Sequence, residues 1–96
     1  MSDKSVTIDV FVVNPQGVHL RPADLMAKLA NQFKSEIQIV KGGEPFDAKS
    51  VLSLLTLAAV QGTQLTLSAT GEDADVALAA LADLVAQGFG EMNGQP

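Results

Sequence analysis

The spacing of apolar residues switches repeatedly between a period of two and a period of three to four, and this switching most limits the folds open to the chain. Residues 5–13 alternate, with Val6, Ile8, Val10 and Val12 on one face and Thr7 and Asp9 on the other, which predicts a strand. Asn14-Pro15-Gln16-Gly17 ends it as a turn. Over residues 18–33 the period becomes helical. Pro22, Leu25, Met26, Leu29 and Phe33 share a face, and Ala23, Ala27 and Ala30 allow close packing. Proline has no N–H to give to an intrahelical bond, so Pro22 confines the helix start to about residues 19–21 and sets His19 at its N-terminal edge. Residues 36–40 alternate again. Lys41-Gly42-Gly43-Glu44 is a hairpin turn, and the return strand over 45–48 carries Pro45, which suits only a sheet edge. Ser50 is a natural N-cap for an apolar helix over 51–60, with Gly62 as its stop. Residues 64–70 alternate with Leu65, Leu67 and Ala69 on one side. Asp73 opens a last helix whose face is Val76, Ala80, Leu81, Leu84 and Val85, ended by Gly88. The order β-α-β-β-α-β-α predicts an α+β open-faced two-layer sandwich: a four-stranded antiparallel sheet covered on one side by three helices and wet on the other. One domain over 1–89 and a flexible C-terminal tail over 90–96 account for the 96 residues.

Composition removes many functions. The absence of cysteine excludes disulfide scaffolds, thiolate metal centres and cysteine nucleophiles. His19 is the only histidine, so no multi-histidine metal site exists, and neither a metal nor a cofactor is expected. Without tryptophan or tyrosine, and with a net charge of −5, the chain lacks the basic stripe and stacking platform of a nucleic-acid binder. Charge is uneven along the sequence. Lys4, Arg21, Lys28, Lys34, Lys41 and Lys49 all precede residue 51, after which five acids stand without a base. An anion site must therefore use the first half. The start has Asp9 within its apolar stretch and no small-residue cleavage pattern, so no signal peptide is expected. The apolar run over 51–60 is too short to span a bilayer, and a cytoplasmic monomer is the expectation.

Two segments carry candidate chemistry. Residues 43–50, GEPFDAKS, approach the phosphate-loop pattern GxxxxGK[ST]. However, Ala48 replaces its second glycine and Pro45 removes an amide, so a strand running into a Ser-capped helix is the better reading. Residues 17–23, GVHLRPA, place His19 at a helix start two residues before Arg21. The free amides of Leu20 and Arg21, with the positive end of the helix dipole, make an anion site. A neutral imidazole there is a nucleophile able to take a phosphoryl group, with Arg21 and the amides offsetting the added charge and no metal required. The alternative is that His19 merely caps the helix and Arg21 is a solvated surface residue.

GVHLRPA, Ser35-Glu36-Ile37, the Gly42-Gly43 hairpin, residues 48–52 AKSVL, Gln61-Gly62-Thr63 and residues 68–73 SATGED follow one another as in the HPr family of the bacterial phosphoenolpyruvate:sugar phosphotransferase system, which the chain resembles from about residue 6 to 89. The resemblance implies the sandwich read above. It implies a phosphocarrier, not an enzyme, whose histidine takes phosphate on Nδ1 from enzyme I and passes it to a IIA component of a sugar permease. By that likeness His19 is the acceptor, Arg21 its support, and Ser50 the regulatory serine addressed by HPr kinase/phosphorylase. Val51, Leu52 and Leu55 dock enzyme I, with Leu20 beside them. Two features depart from the family pattern. Leu20 stands where a small residue is common, and Asp24 adds negative charge on the first helix. Both bear on partner choice. The resemblance also admits a regulatory or nitrogen-related branch acting by binding proteins, and an unrelated ferredoxin-like interaction module would treat His19 as a cap.

Overall fold

The computed structural model describes residues 4–91. Strands β1 (Ser5–Phe11), β2 (Glu36–Lys41), β3 (Glu44–Asp47) and β4 (Gln64–Thr70) form one antiparallel sheet in the order β1-β4-β2-β3. Helices α1 (Leu20–Ala30), α2 (Val51–Thr56) and α3 (Ala74–Ala86) lie on one face, followed by a 3₁₀ turn at Gly88–Gly90. This is the open-faced sandwich that the alternating periods predict.

Register explains the two faces. β4 lies between β1 and β2, pairing Ile8 and Ile39 with Leu67, and Val6 and Ile37 with Ala69. These residues point toward the helices, where Leu65, Leu67, Ala69, Ile37 and Ile39 are buried. Thr7, Asp9, Gln38, Thr66 and Ser68 occupy the opposite face, where Thr66 donates to Asp9 at 2.6 Å. The central strands β2 and β4 thus bury alternate residues, and the wet face needs no cover. Pro45 stands in the outer strand β3, where a missing amide breaks no ladder on the solvent side.

Two helices differ from the sequence expectation. α2 ends at Thr56 instead of running to residue 60. The Lys41 ammonium donates to the carbonyls of Leu57 (2.9 Å) and Ala58 (3.3 Å), and the Val18 amide takes the carbonyl of Ala59 (2.9 Å). Partners distant in sequence claim the carbonyls that a longer helix would have left at its end, and Ala58 turns to a positive φ of 53°. On α3 the inward face is Ala74, Ala77, Leu78, Leu81 and Val85, whereas Val76 is exposed. A helix apolar on nearly every side has no unique stripe, and small alanines let it sit close to the sheet.

A tether joins two loops. Asp73 occupies the N-cap position of α3 but its side chain makes no cap bond. It accepts instead from the amides of Lys34 (2.8 Å) and Ser35 (2.9 Å) and from the buried Ser35 hydroxyl. Led by the Ser35 hydroxyl bond and the Lys34 amide, these donors lower its pKa from an ordinary 3.8 to about 2.

Candidate functional site

The loop after β1 sets the site. Gly17 has φ +68°, and a Cβ there would lie 2.3 Å from the carbonyl oxygen of Ala59, so only glycine fits. Val18, buried beneath, hydrogen-bonds Ala59. The chain then enters α1 through His19, whose extended backbone occupies the N-cap position while its side chain makes no cap bond. The reading of His19 as a mere helix cap is therefore not supported. The first intrahelical donor is the amide of Ala23, to His19 O at 3.0 Å. The amides of Leu20 and Arg21 come before that first bond, at the positive end of the dipole.

The imidazole is 36% exposed, enough for another protein to reach it. Its Nε2 lies 2.8 Å from Oε2 of Glu91. Arg21, 54% exposed, donates from Nη1 to the carbonyl of Phe89 at 2.7 Å and to the same Glu91 oxygen at 3.1 Å. The other Glu91 oxygen accepts from Asn14 Nδ2 at 3.0 Å. Burial pushes the Glu91 carboxyl upward, but the Asn14 bond, the His19 bond and charge, and Arg21 outweigh it and hold the pKa below its usual value.

Of the residues 90–96 read from the sequence as a flexible tail, Gly90 and Glu91 are placed against the site instead. Phe89 buries its ring in the core and Arg21 holds its carbonyl, so Gly90 completes the 3₁₀ turn and Glu91 is carried back to α1, leaving its side chain only 19% exposed. Residues 92–96 lie outside the described residues. The sequence carried one faint sign of this contact: Glu91 is the only acid after Asp83 and follows directly on Phe89-Gly90. Asn14, read only as a turn residue, is the other member that the sequence did not disclose.

α1 and α2 run side by side in opposite directions. Asn31, after α1, donates to the carbonyl of Lys49 before α2 (3.0 Å), while Val18 before α1 pairs with Ala59 after α2. Ser50 caps α2, accepting from the Ser53 amide at 3.1 Å, so it sits at the far end of α1 from His19. The 11 residues of α1 make that separation about 16 Å. Between the two ends, Leu52 is 77% exposed, with Leu20 and Leu55 also exposed and Val51 half-buried. Asp24 is neutralised locally by Lys28 at 2.9 Å, one turn on. Residues 43–50 form strand β3 and a turn into α2, with Ala48 buried, so they do not shape a phosphate-binding loop. Among the described residues no group of three potential metal ligands exists, and no helix is long and apolar enough to cross a membrane.

The family model for the phosphorylation site of the HPr component of the phosphotransferase system matches residues 6–87. The phosphocarrier protein HPr of Haemophilus influenzae is 46% identical over 77 residues, which are 80% of this chain and 91% of that protein. A multiphosphoryl transfer protein of Salmonella typhimurium is 38% identical over 98 aligned positions, covering 94% of this chain but 26% of that longer protein. The crystal structure of HPr-C-His from Thermoanaerobacter tengcongensis superposes with a TM-score of 0.82 at 40% identity, covering 92% of this chain and 97% of that one. With its motif, its sandwich and these likenesses in agreement, the chain belongs to the HPr family, the phosphocarrier proteins of the phosphotransferase system.

Proposed function

We propose that His19 accepts a phosphoryl group on Nδ1 from enzyme I, itself charged by phosphoenolpyruvate, and yields it to a IIA component of a sugar permease. The observation that carries this reading is the placement of a partly exposed imidazole on the N-cap residue, directly before the free amides at the start of α1, with Arg21 sharing its Glu91 partner. Those amides and the guanidinium offset the charge that arrives with the phosphoryl group. The protein acts as a co-substrate of phosphotransferases in the cytoplasm and has no turnover of its own. Leu20, Val51, Leu52 and Leu55 dock enzyme I as a small apolar surface suited to brief encounters, below about 1,200 Å² in total.

Incubation with phosphoenolpyruvate, magnesium and enzyme I should add one phosphoryl group that is acid-labile and base-stable. Because the chain has one histidine, mass spectrometry should find that group on the wild type and not on His19→Ala. Arg21→Ala should still be phosphorylated, with slower gain or onward transfer. A His19→Ala protein that still carries acid-labile phosphate would overturn the assignment.

Ser50 supports a second, regulatory role through HPr kinase/phosphorylase. A phosphate there lies at the far end of α1 from His19, so it acts on the docking surface and not on the phosphohistidine. Its hydroxyl already caps α2, which is a sufficient structural reason for a serine at this position.

A further inference from the structure

Asn14 is fully buried directly before the turn that leads to His19. Its amide spends both hydrogens, one on the carbonyl of Gly17 at 2.8 Å and one on Glu91 Oε1, 77 positions away, at 3.0 Å. Its own carbonyl oxygen is buried without a hydrogen-bond partner. A turn needs only the first of these bonds, and an orphaned buried acceptor is destabilising. The second bond therefore calls for a reason beyond the turn.

That reason lies across the carboxylate. With Asn14 on Oε1, Glu91 presents Oε2 to His19 Nε2 at 2.8 Å and to Arg21 Nη1 at 3.1 Å. An ionised carboxylate only accepts, so the shared hydrogen belongs to Nε2. The lone pair of the neutral ring is then on Nδ1. We propose that Asn14 is a positioning residue which, by clamping Glu91 against Nε2, holds His19 in the Nε2–H tautomer with Nδ1 as its nucleophilic atom. This inference rests on the phosphocarrier reading above and names what prepares its acceptor.

The transfer balances simply. The Nδ1 lone pair forms the bond to phosphorus, and the bond from phosphorus to the donor breaks with its electron pair leaving on the donor. Nothing is oxidised or reduced. Nε2 keeps its proton, so the ring becomes positively charged, and Glu91 offsets that charge from the side of the ring away from the phosphoryl group. On onward transfer the Nδ1–phosphorus pair returns to the ring. A carboxylate behind a histidine plays the same orienting part in hydrolytic triads.

The test uses the unphosphorylated full chain. Long-range ¹H–¹⁵N spectra report one histidine, so the signal has a single source. The wild type should show the Nε2–H tautomer almost alone, with a slowly exchanging Nε2 proton. Glu91→Gln and Asn14→Ala should speed that exchange and admit the other tautomer. Phosphoryl gain from enzyme I should slow about ten- to a hundredfold in each, the loss of one charge-assisted hydrogen bond. Because Asn14 acts through Glu91, adding Asn14→Ala to Glu91→Gln should change the rate less than about twofold. If Asn14→Ala does not fold, Asn14→Ser, whose hydroxyl has a single hydrogen to give, replaces it in every arm. An unaltered tautomer in Glu91→Gln overturns the clamp, and so does a full Asn14 effect persisting in the Glu91→Gln background. A wild type that takes no phosphate refutes the carrier reading instead, while the spectra still decide the clamp.

Discussion

At the scale of single residues, the site is held in place by backbone constraints. Gly17 is required because Ala59 O occupies the space a side chain would need, and that contact fixes where His19 leaves the loop. Ala58, on the other side of the contact, has a positive φ of 53° although it carries a Cβ. That conformation costs about 1–2 kcal/mol for an L-residue other than glycine. Ala58→Gly relieves the cost and returns about 0.4–1 kcal/mol as extra freedom of the unfolded chain. The balance favours glycine by about 0.5–1 kcal/mol, so a thermal scan should find the variant melting a few degrees higher. A lower melting temperature would show that Ala58 is not strained. The sequence disclosed the Gly17 turn and the helix start at His19, because Pro22 and Gly17 impose their limits locally. It did not disclose the Ala58 turn, which Lys41 and Val18 impose from afar.

At the scale of elements, α2 both covers the core and carries the surface proposed as the dock. Its six residues carry one fully buried anchor, Leu54, and turn Leu52 outward. Full burial of one leucine is worth about 1.5–3 kcal/mol, so in the proposed dock Leu52→Glu should slow transfer from enzyme I by about tenfold or more. A surface change of this kind moves stability by less than about 0.5 kcal/mol, so the melting temperature should hold. Ser50→Asp should act similarly by placing charge at the start of the same helix while still able to cap it. Stopped-flow or quench measurements with enzyme I check both. Wild-type rates in folded Leu52→Glu would remove the dock. The existence of α2 was legible in Ser50 and the apolar run, but its length was not, since nothing within residues 51–60 marks the carbonyls that other segments take. The inward face of α3 was similarly hidden. Ala74, Ala77, Leu78 and Val76 look alike to a periodicity argument, and only the sheet decides among them.

At the scale of the whole molecule, the sheet order brings residues 89–91 back to the start of α1 and in doing so completes the site. β1 pairs with β4, and α3 then returns the chain so that Phe89 enters the core and Glu91 meets His19. His19 and Arg21 were legible because two residues in one turn of one helix carry their own geometry. Asn14 and Glu91 were not, because their meeting depends on the completed sandwich. Asp73 provides a second long-range closure, fastening the loop before β2 to the start of α3. Its pKa is lowered in the folded protein, so its contribution to stability is present above the ordinary value of 3.8 and is lost as the pH falls through about 2. Asp73→Asn cannot ionise and keeps the shape. It should melt below the wild type at pH 7, and the gap should narrow as the pH drops from about 4 toward about 2. Paired thermal scans across that range measure it. A gap that stays constant down to pH 2 would mean that the charge of Asp73 plays no part in holding the two loops.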